Sequence, residues 1–259
     1  RQMCIRDSGG AIVDALQASG VGTALVQRRS EPTSLALATI DPDGAAGYSF
    51  YVEGTADRAV TDPGPLPSTV AAVCFGTLSL VLEPGASVYE DLLRRAHTDG
   101  RLVLLDPNVR PAVIADPDAY RRRYRAWMRD VDVVKLSDED AAFLADGDDG
   151  STPADWIADG VTAVIGTAGA SGVTVTTASD IVRVPAPSVE VVDTIGAGDS
   201  IMGGLLNGLD RLGALSAAAV ADLGPDQWRG VAERAVQVAA VTVTRAGADP
   251  PWAGELESD

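Results

Sequence analysis

The chain has 259 residues, 46% of them hydrophobic, a formal net charge of −17 and a pI near 4.3. That length suits one α/β domain, and the charge argues against nucleic acid and anionic membranes as partners. No apolar run approaches the ~18 residues that a membrane span needs. The two cysteines, Cys4 and Cys74, are too few for a disulfide framework, and residues 1–8 lack the apolar segment of a signal peptide, so the expected setting is a reduced cytoplasm.

Ser34 to Ile40 reads as a strand, Asp41-Pro-Asp-Gly44 as a turn and Tyr48 to Val52 as its hairpin partner. Ala71 to Phe75 is a short buried strand, Val88 to His97 a helix and Leu102 to Leu105 the next strand. A basic helix over Ala119–Arg129 precedes a strand at Val131–Val134, and further strands fall at Val161–Ile165 and Val173–Thr176. Helices near 200–210 and 228–242 follow. Strands alternating with helices predict a mostly parallel sheet covered by helices. Cys74 reads as a small core residue, His97 as a solvated helix residue and the Asp-rich stretch 146–150 as a solvated loop, because it lacks calcium-loop spacing.

The most informative segment is Asp193-Thr-Ile-Gly-Ala-Gly-Asp199. Ile201, Leu205 and Leu209 recur at helix spacing, so the glycines sit where a loop becomes a helix N-terminus. Backbone N–H groups with no intrahelical partner face outward there and make a site for an anion, with Asp199 beside it. Two other nucleotide motifs are excluded. The one lysine, Lys135, follows Val133-Val134 rather than glycine, so no Walker loop exists, and Ile201 stands where a dinucleotide fingerprint needs its third glycine.

Residues 193–199 match all six fixed positions of the Asp-Thr-x-Gly-Ala-Gly-Asp signature, and the chain resembles the ribokinase-like, or PfkB-type, carbohydrate kinases. Further segments resemble that family in its own order. Gly76-Thr-Leu-Ser-Leu80 with Glu83-Pro84, and Asp106-Pro-Asn-Val-Arg-Pro111, are similar to the fructokinase branch. Lys135-Leu-Ser-Asp-Glu-Asp140 resembles the Asn-x-x-Glu region, Thr167-Ala-Gly-Ala-Ser-Gly172 the Thr-x-Gly-x-x-Gly nucleotide loop, and Thr242 to Pro250 the C-terminal nucleotide and cation segment. Singly, each has an ordinary reading as a turn or hairpin connection; together they cover roughly residues 9–252.

The resemblance implies a ribokinase-like α/β fold with a small β lid at residues 34–52, and transfer of the γ-phosphoryl of ATP to a sugar hydroxyl, fructose first. 2-Keto-3-deoxygluconate kinase and ribokinase are the alternatives, and a non-catalytic sugar- or nucleotide-binding protein is the reading from another class. It makes Asp199 the general base, with the N–H groups of Gly196, Ala197 and Gly198 receiving the transferring phosphate. Ser137, Thr167, Gly169, Gly172 and Val236 would line the nucleotide, and Asn108 and Arg110 would lie near phosphate or sugar. Asp140 would help place magnesium through water. Asp193, Ile195, Thr242, Arg245 and Gly247 would form a monovalent-cation site, with potassium the expected ion. Dimerisation through the lid is a further expectation.

The chain departs from the family pattern at three places. Ser137 and Asp140 occupy the Asn and Glu positions, and Asp is one methylene shorter. Pro251 replaces a residue that often supplies a hydroxyl to the cation site. The substrate-gripping strand and Gly-Gly segment that begin family members have no counterpart before Gly9, residues 9–21 resemble the helix that follows those elements, and residues 1–8 match nothing in the family. The expectation is a foreign octapeptide joined to a kinase domain, residues 9–259, that is incomplete at its N-terminus.

Overall fold

The computed structural model describes residues 5–40, 46–148 and 150–256, with the backbone alone at 5–7, 38–40 and 46–48. The expected turn at 41–44 and Asp149 lie outside the described residues. In chain order the regular elements are α1 (Ile5–Ala18), β1 (Leu35–Ile40), β2 (Ala46–Tyr51), β3 (Ala72–Gly76), α2 (Gly85–Thr98), β4 (Leu102–Asp106), α3 (Pro117–Trp127), β5 (Val133–Ser137), α4 (Asp138–Ala145), α5 (Pro153–Asp159), β6 (Ala163–Thr167), β7 (Val173–Thr177), β8 (Ile181–Val184), α6 (Ala197–Arg211), α7 (Ala217–Ala221) and α8 (Pro225–Val243). Among the described residues no helix is long and apolar enough to cross a membrane.

The chain divides into two compact units, with α2 contributing to both. The first holds residues up to Pro67 together with Thr77–Leu92 and Arg110–Pro117. Within it β1 and β2 form the expected antiparallel ribbon, in register Leu35↔Tyr51 to Ile40↔Ala46. Leu35, Leu37 and Tyr51 share one face by period and pairing, and all three are exposed. Arg58 ties the ribbon's exit to the segment before α2, donating from Nε to Glu83 O (2.9 Å) and pairing through Nη1 with Glu53 (2.8 Å).

The second unit, Ser68–Gly76, Leu93–Val109 and everything from Asp118, carries a six-stranded sheet in the order β3-β4-β5-β6-β7-β8. Strands β3 to β6 are parallel, as the strand–helix alternation implies, whereas β6–β7 and β7–β8 are antiparallel. The reason is connection length. Five residues separate β6 from β7, while a parallel return needs about a dozen or more. All five residues of β4 are buried, as expected of a central parallel strand covered on both faces. Cys74 is a correction, because it is exposed on the edge strand β3 rather than in the core; His97 is exposed near the end of α2, as read.

One face of the sheet packs under α6 and α8, whose Ile201, Leu205 and Leu209 join Val231, Ala232 and Ala235 in the core. The helices approach closely because α6 presents glycine where they touch. A Cβ on Gly204 would lie 2.5 Å from the Ala235 Cα, and one on Gly208 would lie 3.0 Å from the Val231 Cα. Gly203, one position away, faces open space. Gly203→Ala is therefore expected to raise the melting temperature, since a helical glycine costs up to about 1 kcal/mol against alanine. Gly204→Ala should lower it, by about 1–3 kcal/mol of overpacking. Thermal denaturation of the two variants side by side checks this.

Across the sheet, α3 is anchored by the buried Arg121, which donates to Phe143 O (2.8 Å) and pairs with Asp118 (2.8 Å) and Asp146 (3.3 Å). Asp146 thus serves as an ion-pair partner, and among the described residues no group of three or more His, Cys, Asp or Glu side chains is arranged to hold a metal.

Candidate active site

The Asp193–Asp199 segment forms a loop that turns into α6. Gly196 is the N-cap, with φ +79° and ψ 0° in the left-handed region. A Cβ there would lie 2.8 Å from the Cβ of Ala248, so both conformation and space require glycine. Gly196, Ala197 and Gly198 open the helix, and Asp199 sits in its first turn, exposed. Among the described residues the Asp199 carboxylate makes no hydrogen bond or ion pair. The Ala197 N–H, expected as a phosphate donor, turns back onto Thr194 O (3.2 Å), so among the described residues the donors left at this helix start are those of Gly196 and Gly198. With a carboxylate in the first turn, such a site can receive an anion and accept a proton from whatever attacks it.

The loop is held by a segment far along the chain. Asp193 Oδ1 accepts from the Ile195 N–H (3.0 Å) and Oδ2 from the Gly247 N–H (2.9 Å). These donors hold its carboxyl below the usual carboxylate range. The Val192 N–H also donates to Val243 O (2.8 Å). The structure therefore brings 193–195 and 242–247 together. The other two residues named for that segment have their side chains engaged elsewhere. The buried Thr242 hydroxyl donates to Val238 O (2.9 Å) and meets Ser200 Oγ at 2.8 Å, while Arg245 pairs with Asp249 and Glu255.

The remaining residues fall in four places. Thr167 ends β6, and Gly169 (φ +48°) and Gly172 (φ +90°) shape the tight connection to β7, closed by Ala168 N–H to Gly172 O at 2.9 Å. A Cβ on Gly172 would lie 2.1 Å from Val184 O, so this hairpin is pressed against β8. Val236 is 5% exposed and belongs to the core beneath α8. Ser137 caps α4, accepting from the Asp140 N–H (3.1 Å), while Asp140 Oδ2 accepts from the Ser137 N–H (3.0 Å). Asp140 Oδ1 accepts from the Val109 N–H (2.6 Å). Asp140 is thus a buried helix cap that also fixes the loop after β4, with both carboxylate oxygens engaged. In that loop Asn108 has φ +39°, and Arg110, in the first unit, precedes the short 3₁₀ turn Pro111–Val113.

A cavity of about 440 Å³ opens beside Asp199. Of the residues expected from sequence it is lined by Gly196 and Asp199, and it runs along α6 over Gly203 and Asn207 to Arg234 and Val238 of α8 and to Pro250 and Pro251. Arg234 Nε donates to Asn207 Oδ1 (3.0 Å). Sequence reading missed this wall. The i, i+4, i+8 spacing of Asp199, Gly203 and Asn207 was the available signal, but it names a helix face without saying what stands opposite.

A six-stranded α/β sheet with this glycine turn opening a helix and an unengaged aspartate in its first turn is the architecture of a ribokinase-like fold. Residues 6–253 match the family described as pfkB family carbohydrate kinase, and the chain belongs to it. It is 36% identical over 231 residues to a fructokinase of Rhizobium leguminosarum bv. trifolii, covering 85% of this chain and 70% of that one. It is 34% identical over 180 residues to fructokinase-2 of Zea mays, covering 67% of this chain but only 53% of the maize protein. Among solved structures, fructokinase with bound ATP from Xylella fastidiosa superposes with a TM-score of 0.83 at 27% identity, covering 93% of this chain and 76% of that one.

Proposed function

We propose that the protein transfers the γ-phosphoryl group of ATP to a sugar hydroxyl, and that the sugar is fructose. The observation that carries this reading is the α6 entry, where the backbone N–H groups of Gly196 and Gly198 and the Asp199 carboxylate stand together at a helix N-terminus. Phosphoryl transfer asks the protein mainly for positioning and charge stabilisation. The N–H groups of Gly196 and Gly198 hold the transferring phosphate, while that of Ala197 closes the turn on Thr194 O (3.2 Å); fixed donors of this kind are each worth roughly 10²–10³ in rate. Asp199 takes the hydroxyl proton as the oxygen attacks in line. Backbone donors also let a chain of net charge −17 bind a polyanion without a surface of basic side chains.

Fructose is favoured because the fructokinases named above are similar to this chain along most of its length. Asp140 is engaged as a cap, so magnesium would travel on the nucleotide phosphates with its own waters, a common mode for this ion. The junction of 193–195 with 242–247 supports a monovalent-cation segment. The exposed apolar face of β1–β2 supports a homodimer through the ribbon.

The test is ATP consumption with fructose, 2-keto-3-deoxygluconate and ribose, each with and without potassium. Fructose is expected to give the highest kcat/KM, with stimulation by potassium. ATP binding without turnover on any of the three would replace the reading with that of a binding protein.

A further inference from the structure

Lys135 is the only lysine in the chain, and its side chain is 5% exposed. It lies on β5 and reaches to the end of β4, where Nζ donates to Asp106 Oδ2 at 2.8 Å. An ion pair that served the fold alone would have its remaining valences satisfied, because a partly paired buried charge is costly. This one does not. An ammonium carries three donors, and among the described residues Nζ uses one of them, on Asp106. Asp106 Oδ1 is buried with no hydrogen-bond partner.

Location supplies the second observation. A Cβ on Gly198 would lie 3.0 Å from Nζ, so the ammonium rests against the first turn of α6, on the side that the missing Gly198 side chain would occupy. Asp199 is near enough to act on the same pair. Burial pushes the Asp106 carboxyl up, Lys135 opposes that, and Asp140 and Asp199 add to it. The half-satisfied pair therefore stands at the turn where the phosphate is received, inside a protein whose overall charge repels phosphate.

We propose that Lys135 is a positioning residue of the phosphate site: held by Asp106 against Gly198, its ammonium supplies a fixed buried positive charge to the α6 entry and to the anion bound there. A charge in that position acts through low-polarity surroundings and is not screened as a surface lysine would be. Gly198 is glycine so that the ammonium can come this close. The inference rests on the α6 entry being the phosphate site.

The single lysine makes the test direct. In the full chain labelled with [ε-¹⁵N]lysine, one side-chain ammonium resonance reports Lys135. Saturating ATP is expected to move it, and ADP, which lacks the γ-phosphate, to move it less than about half as far. Calorimetry in parallel separates the outcomes. ATP binding with an unmoved resonance overturns the role of Lys135 and leaves the kinase reading standing, while no ATP binding overturns both. Lys135→Met, which keeps the stem and removes the charge, should lower kcat about 10²–10³-fold with little change in the KM for sugar. Asp106→Asn, which keeps the ammonium, should lose markedly less. Equal losses in the two variants, or a Lys135→Met turnover within about threefold of the parent, would assign the pair to stability alone.

Discussion

Asp199→Asn is expected to abolish phosphoryl transfer and leave the molecule folded. The substitution preserves shape and removes only the ability to take a proton. Because the carboxylate has no intramolecular partner among the described residues, nothing in the fold loses a contact. The cost to α6 is limited to a favourable charge at a helix N-terminus, about 0.3–1 kcal/mol. A positioned base contributes about 10²–10⁴ in rate, so turnover should fall by at least a hundredfold. ATP affinity should hold or tighten, since a negative charge leaves the neighbourhood of a phosphate site. Initial rates with fructose and ATP, alongside nucleotide titration by calorimetry, give both numbers. Turnover within tenfold of the parent would remove Asp199 from the role of base.

Gly196→Val should be nearly as damaging, for a different reason. At φ +79° a β-branched residue is a genuine outlier, and its Cβ would also meet Ala248. Relief requires the turn to open, which moves the N–H groups away from the phosphate. The expected loss is about 10²–10³ in kcat, with a destabilisation of about 1–3 kcal/mol from backbone strain. Gly198→Ala makes the informative contrast, because its φ is ordinary and its one close neighbour is the Lys135 ammonium, which a methyl would push aside without opening the turn. It should fold normally and lose less. Circular dichroism melts and steady-state rates on both variants distinguish a displaced turn from a general loss of structure.

Much of this was legible in the sequence. The ribbon β1–β2, strands β3 to β7 and helices α2, α3, α6 and α8 fall where apolar period and turn residues place them. The short elements α4, α5, α7 and β8 did not declare themselves, since five to eight residues span too few turns for a period to show, and β8 has four. The glycine turn and Asp199 were readable because their chemistry is local: a few consecutive residues define both the conformation and the groups presented. The partners of Asp140, Thr242 and Lys135 were not. Each engages a residue distant in sequence or a backbone N–H brought in by the fold, as Val109 is for Asp140 and Asp106 for Lys135. Ser137-x-x-Asp140 ahead of an apolar run has capping-box spacing, which accounts for one Asp140 oxygen; nothing in the segment announces that the other will accept from Val109.

The dependence of the α6 entry on residues 243–248 has a temporal side. The glycine turn is synthesised at residue 196, but the groups that hold it arrive later: Val243 accepts the Val192 and Asp193 amides, Gly247 binds Asp193, and Ala248 packs against Gly196. The ribosome must therefore have passed residue 248 before the glycine turn can be fixed. Until then the emerging protein carries its signature loop without the hydrogen bonds that fix its geometry.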